Sequence, residues 1–247
     1  MKVLATYNIK GGVGKTATAV NLSYLAARDG LRVLLADLDP QAAATYTLRV
    51  RPRVKCGGKA LITGSRELDA AIKGTDFDNL DLLPADFTFR NLDLMLDATK
   101  KPTQRLARLL RPLRASYDLV FLDCPPGISL LSESVLHAAD LALVPIIPTT
   151  LSLRTLDQLT EFISDFDGPR PEVLAFSSMI DRRKRLHKEI AERLPAERKD
   201  VADTAIPALS MIEQMSVRRA PVAAFAPRSA AARAYAQLWA EVRDRLF

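Results

Sequence analysis

Cysteine is nearly absent, with only Cys56 and Cys124 in 247 residues. They stand too far apart for a paired metal-binding spacing, and two thiols do not build the cross-linked framework of a small secreted fold. A reducing, cytoplasmic setting is therefore expected. Histidine is equally scarce, and neither His137 nor His187 has a second ligand at metal-binding spacing. No apolar run approaches the roughly 18 residues that a membrane-spanning helix requires. Met1-Lys2 leads straight into the strand-like run Val3-Leu4-Ala5-Thr6-Tyr7, so no secretory leader is expected. Internal repeats and low-complexity blocks are also missing.

The remaining composition is that of an ordinary globular chain, 48% apolar and 26% charged. A chain this long buries a sizeable core without cross-links, and a single domain over residues 1–247 is the simplest expectation. The net charge of +6 leans mildly toward polyanionic partners and decides little alone.

Short apolar runs alternate with helical patterns along the chain. Strands are expected at 2–8, 31–37, 79–84, 117–123, 140–147, 172–179 and 202–206. Helices are expected at about 15–29, 86–98, 102–115, 128–138, 151–166, 184–194 and 229–246. Near-continuous apolar strands imply burial on both faces, as in a parallel sheet. The alternation predicts an α/β fold, a doubly wound, mostly parallel sheet flanked by helices. Residues 42–64, with the basic run Arg49-Val50-Arg51-Pro52-Arg53-Val54-Lys55, read as a loop with a short helix.

The first strand is followed by Lys10-Gly11-Gly12-Val13-Gly14-Lys15-Thr16 and then a helix. This order suits phosphate. Glycines let main-chain N–H groups turn toward an anion, and the helix start adds free donors. Lys15 can reach β- and γ-phosphates, and the Thr16 hydroxyl can ligate Mg²⁺. The strict phosphate-loop pattern has glycine where Ile9 stands, but Gly14-Lys15-Thr16 is kept.

Lys10 through Thr16 resembles the deviant Walker A motif of the ParA/MinD family of P-loop ATPases, most of all its ParA-type members. The resemblance implies binding of ATP with Mg²⁺ by Gly11, Gly12, Val13, Gly14, Lys15, Thr16 and Ala17, although Ala17 stands where threonine is common. It also implies that Lys10 reaches the partner's nucleotide in an ATP-bound homodimer. There it would act as an arginine finger does, stabilising charge on the transferring phosphoryl group.

Asp37-Leu38-Asp39-Pro40-Gln41 and Asp123-Cys124-Pro125-Pro126-Gly127 both follow strands, at the edge where open α/β sheets bind ligands. They match the family's two switch segments without gaps. The resemblance makes Asp123 the Walker B aspartate, acting on Mg²⁺. Asp37 is expected to support the same metal shell, and Asp39 to orient or deprotonate the attacking water. Cys124 reads as a small buried hydrophobe. An iron–sulfur cluster would need a second ligand, and Cys56 lies in an unrelated loop.

Similarity to ParA-type proteins runs nearly to the end of the chain. Met179-Ile180-Asp181-Arg182 and Ile206-Pro207 resemble stretches that surround adenine in the family, which points to Asp181 and Pro207. Such proteins bind DNA without sequence preference when ATP-dimerised. The basic residues Arg182, Arg183, Lys184, Arg185 and Lys188 would suit phosphate contacts. Arg218 and Arg219 could stand in for the arginines of Pro-Arg-Asn-Val-Arg, replaced here by Pro207-Ala208-Leu209-Ser210-Met211.

The expected function is an ATPase that positions or segregates a plasmid, a chromosome or a protein cargo over the nucleoid. A ParB-like or other cargo-linked activator would trigger its release. The alternative is a MinD-like, membrane-associated switch using the tail from Trp239 to Phe247 as an amphipathic helix. A metabolic P-loop ligase or metal carrier would need further substrate or cluster ligands, and the sequence offers none.

Overall fold

Seven segments, all but one rich in apolar residues, pair into one sheet in a computed structural model that describes residues 1–52 and 65–247, with only the backbone at 65–67. The strands are β1 (Lys2–Thr6), β2 (Val33–Asp37), β3 (Lys73–Gly74), β4 (Leu80–Leu83), β5 (Leu119–Asp123), β6 (Leu141–Ile146) and β7 (Glu172–Ser177). Their order is β3-β4-β2-β5-β1-β6-β7, and only the short β3 runs antiparallel. All residues of β2, β5 and β6 are buried, which is why they read as unbroken apolar runs.

The described helices are α1 (Lys15–Arg28), α2 (Ala43–Thr47), α3 (Ser65–Ala71), α4 (Leu92–Asp97), α5 (Arg105–Leu110), α6 (Leu130–Ala138), α7 (Thr150–Ser164), α8 (Arg185–Glu197), α9 (Ser210–Arg218), α10 (Val222–Phe225) and α11 (Ala230–Leu246). Alternate strand residues face two cores. Leu34, Val120 and Val144 pack with Val135 of α6 and Leu156 of α7. Leu35, Phe121 and Leu143 pack with Leu22 and Leu25 of α1 and Leu238 and Trp239 of α11. The doubly wound architecture is thus as expected.

Register places the chemistry. Thr6 and Asp37 both stand opposite Asp123, so the carboxyl ends of β1, β2 and β5 bring these three side by side. The order of the strands sets β1 between β5 and β6, and the β1–α1 turn opens beside that row.

Several boundaries differ from the expectation. Residues 202–206 form no strand. Ala202 and Ile206 each give one main-chain bond to β7, but the N–H groups of Asp203 and Thr204 turn away to the Glu241 carboxylate, both at 2.8 Å. The helix expected at 102–115 is α5 flanked by 3₁₀ turns, Pro102–Gln104 before it and Arg111–Ala115 after it, the second where Pro112 has no N–H to continue the helix. That expected at 86–98 opens with a 3₁₀ turn, Phe87–Asn91, before α4. Helices α3, α9 and α10 were not expected. Within 42–64 the short helix is α2, while residues 53–64, including Cys56 and the end of the basic run, lie outside the described residues.

Asn21 joins α1 to two of the unexpected helices, α9 and α10. It is 1% exposed; its Nδ2 donates to the Ala17 carbonyl at 2.7 Å and faces Met215 Sδ, and its Oδ1 accepts from the Val222 N–H at 2.8 Å. Asn21→Leu leaves that buried N–H unpaired. A loss of about 2 kcal/mol in urea unfolding is expected, and an unchanged midpoint would contradict this account of the joint.

Candidate functional site

After Thr6 the chain leaves the sheet and must turn back into α1. Asn8 fixes the exit: its Nδ2 donates to the Pro145 carbonyl at 2.8 Å, and its Oδ1 accepts the Lys10 N–H at 2.8 Å. Gly12 (φ +71°) and Gly14 (φ +94°) then take left-handed conformations that side chains disfavour. At Gly14 a Cβ would also stand only 3.0 Å from Ser178 Oγ, a hydroxyl that donates to the Val13 carbonyl at 2.9 Å. Gly14 caps α1 without any side-chain bond, so no side-chain oxygen takes the amides of the first turn. An anion is the natural partner for such a helix start.

Lys15 is 6% exposed, and its Nζ donates to the Lys10 carbonyl at 2.9 Å. Burial lowers its pKa, while the nearby Asp123, Cys124 and Asp39 oppose that shift. Beneath it lies the row of carboxylates. Asp37 is fully buried; burial raises its pKa to about 6 against the bonds from Thr45. Asp123 is also fully buried, and burial, then the charges of Asp37 and Asp39, push its pKa well up, opposed by a bond from Thr16 and by Lys15.

The two aspartates differ in what satisfies them. Asp37 Oδ2 accepts the Thr45 N–H at 2.8 Å and the Thr45 hydroxyl at 2.7 Å, and its Oδ1 accepts the Asp39 N–H at 3.3 Å. Thr45 Oγ1 in turn accepts the Ala85 N–H at 2.9 Å. Asp37, expected to support the metal shell, holds α2 and the Asp39 turn through these bonds. Asp123 Oδ2 is buried with no hydrogen-bond partner. An ionised oxygen in that position needs a cation, and hard oxygen donors such as Asp123 and Thr16 fit Mg²⁺.

A cavity of about 650 Å³ opens beside the glycine-rich turn and Asp39. One end is walled by Gly11, Gly12, Gly14, Lys15, Thr16 and Ala17, with Asp39, Gln41 and Pro126 across from them. The other end is largely apolar, with Met179, Ile206, Pro207 and Leu209, and with Ile212 and Met215 of α9. The cavity thus offers amides and an ammonium group to an anion at one end and a flat apolar slot at the other.

Most expected residues meet here, and some do not. The Val13 side chain is buried at 2% exposure and outside the cavity lining, and its carbonyl accepts the Ser178 hydroxyl. Lys10 is half-buried beside the turn and outside the cavity lining. Asp181 does not line the cavity; both its oxygens accept from the Arg183 guanidinium at 3.0 Å. Cys124 is buried and free, and burial raises its thiol pKa well up, in keeping with a small core residue. Ser178, Met179 and the α9 residues were missed. Met179, two positions before Asp181, carried the only signal in the sequence.

Of the basic residues, Arg182, Lys184 and Lys188 are exposed and form no ion pair among the described residues. Arg183 and Arg185 are paired with Asp181 and Glu189. Arg218 is exposed, whereas Arg219 is turned onto α2, its Nε donating to the Tyr46 carbonyl at 2.9 Å.

A family model described as an AAA domain matches residues 1–173. The chain is 34% identical over 254 aligned positions to the chromosome partitioning protein ParA of Caulobacter vibrioides, covering 99% of this chain and 95% of the relative. It is 32% identical to the sporulation initiation inhibitor protein Soj of Bacillus subtilis, covering 98% of each. A solved structure of cobyrinic acid a,c-diamide synthase from Mycobacterium smegmatis, with bound ATP analog and magnesium, superposes with a TM-score of 0.84 at 28% identity, over 99% of this chain and 95% of that one.

The unpartnered Asp123 oxygen makes a test possible. Asp123→Asn removes a buried carboxyl that folding must either protonate or leave as an unpaired charge, so the metal-free protein should gain about 1 to 2 kcal/mol of stability near neutral pH. The further stabilisation given by Mg²⁺ with ATP should disappear. A less stable metal-free variant would contradict the account.

Proposed function

The chain belongs to the ParA/MinD family of P-loop ATPases, on its ParA side, and from this membership we propose that it positions or segregates a cargo by cycling between ATP-bound and ATP-free states. It is a Mg²⁺-dependent ATP hydrolase. The observation that carries the reading is the juxtaposition in the cavity lining of the glycine-rich turn, Lys15, Thr16 and Asp39, with the orphaned oxygen of Asp123 buried close to Lys15 and Thr16. The single sheet with a core on each face supports taking residues 1–247 as one ATPase domain.

In this reading the amides of 11–16 cradle the phosphates, and Lys15 leaves the Lys10 carbonyl to join them. Thr16 and Asp123 would hold Mg²⁺, which would supply charge to neutralise the phosphates. The apolar slot that includes Met179 and Pro207 takes the base. Asp39 faces the phosphate end with its loop tied down, since its Oδ1 accepts the Gln41 N–H at 2.9 Å and its carbonyl accepts the Ala42 N–H at 2.9 Å. It orients or deprotonates the attacking water. Lys10, outside the cavity of its own chain, reaches the nucleotide of a second copy and closes an ATP-dependent homodimer.

The dimer binds DNA through phosphate contacts from Arg182, Lys184, Lys188 and Arg218, so its affinity falls steeply with salt. Arg183 and Arg185 contribute less because each is partly neutralised. A cargo-linked activator of the ParB type then stimulates hydrolysis and release over the nucleoid. The membrane alternative is disfavoured by α11. Its apolar residues, Leu238, Trp239 and Val242 among them, are buried, and Trp239 Nε1 is fastened to Asp29 at 2.7 Å. Among the described residues no helix is long and apolar enough to cross a membrane.

Co-sedimentation with DNA and with liposomes, in ATP, ADP and no nucleotide, tests the reading. Pelleting with DNA only in ATP is expected; pelleting with liposomes instead would favour the membrane switch. Asp39→Ala should stay on DNA with ATP while turnover falls about 100-fold or more, and Lys10→Ala should lose ATP-dependent dimerisation. Normal turnover of the first, or normal dimerisation of the second, removes that residue from the mechanism.

A further inference from the structure

Two short helices border the cavity from different sides. α2 follows the Asp39 turn and contributes Thr47, while α9 follows Pro207 and contributes Ile212, Met215 and Ser216. Each helix is followed by an arginine in the left-handed backbone region, Arg49 at φ +60° and Arg219 at φ +51°. Helix ends usually give that conformation to glycine, because a Cβ disfavours it. The side chains offset this by bonding each to the end of the other helix. Arg49 donates through Nε to the Arg219 carbonyl and through Nη2 to the Arg218 carbonyl, both at 3.1 Å. Arg219 donates through Nε to the Tyr46 carbonyl at 2.9 Å, and its guanidinium lies over the Tyr46 ring, 4.5 Å from the centroid. Carbonyls at a helix C-terminus favour cationic donors.

We propose that this reciprocal arginine clasp is a positioning device that sets the Asp39 turn against nucleotide seated in the cavity; the proposal rests on the ATPase reading above. Neither arginine lines the cavity, so both act through the helices they join. α2 is held at two places. Thr45 ties it to the strand ends through Asp37 and Ala85, and the clasp ties its C-terminus to α9. α9 is itself seated on the phosphate-loop helix through Met215 and Asn21. A nucleotide packed against Ile212 and Met215 therefore steadies, through the clasp, the segment that carries Asp39. Arg219 spends its guanidinium on this contact and is not a DNA contact.

The test compares Arg49→Gly, Arg219→Gly, the double variant and Arg49→Lys with the native chain. Glycine accepts the left-handed backbone, so these changes remove the side chain without adding strain. Each glycine variant should lower kcat about tenfold with KM for ATP changed less than about twofold. The double variant should be no worse than either single one, because both break the same link. Arg49→Lys cannot span two carbonyls and should behave like Arg49→Gly; it carries the test if a glycine variant does not fold. Amide hydrogen exchange over residues 43–50 should quicken in every variant. Unchanged kcat, or losses that multiply in the double variant, overturn the proposal. So does loss of DNA co-sedimentation at normal kcat in Arg219→Gly. A native chain without Mg²⁺-dependent turnover fails the ATPase reading; exchange over 43–50 then decides the clasp, and unchanged exchange overturns it.

Discussion

Asp123 Oδ2 is an ionisable oxygen removed from water and left without a partner. Leaving such a group buried costs several kcal/mol unless a cation meets it. The fold creates this cost by register, since parallel pairing of β1, β5 and β2 sets Thr6, Asp123 and Asp37 side by side. It offers the complementary half next door, in a turn that lines the cavity, leaves its helix start uncapped by any side chain and holds the Lys15 ammonium on a main-chain carbonyl at 2.9 Å. Negative carboxylates and positive donors thus stand ready on two sides of one space. A triphosphate with a divalent cation satisfies both at once, and neither partner alone does so.

The same edge of the sheet shows how binding reaches parts that do not touch the ligand. Asp37 and Asp39 are two residues apart, and the end of β2 at Asp37 gives them different tasks. Asp37 is buried and anchors Thr45; Asp39 emerges at the cavity. The segment between them and Arg49 is fastened to the strands at one end and to α9 at the other. A hydrolytic residue on such a segment responds to whatever settles against α9, which gives the base-side wall of the cavity an influence on chemistry at the phosphate end.

Much of this was legible in the sequence, for physical reasons. Strands buried on both faces write themselves as apolar runs, so the interior of the sheet was readable. The phosphate turn was readable because its glycines and lysine answer to one requirement. Where the reading failed, a distant partner had decided the outcome. Residues 202–206 look like a strand until Glu241, from α11, takes two of their N–H groups. α9 mixes Ser, Met, Glu and Arg without a clean period, and it is held by Asn21 from α1. Asp181 stands two positions from Met179 yet turns to Arg183. Arg219 reads as a free surface charge until Tyr46 is seen beneath it. Local patterns cannot announce partners so far away in the chain.

A crystal structure with a non-hydrolysable ATP analogue and Mg²⁺ tests the central claim most directly. The account predicts phosphates against the amides of residues 11–16, Lys15 Nζ withdrawn from the Lys10 carbonyl, and the metal beside Asp123. An analogue bound elsewhere, with Lys15 still on that carbonyl and Asp123 Oδ2 still bare, would contradict it.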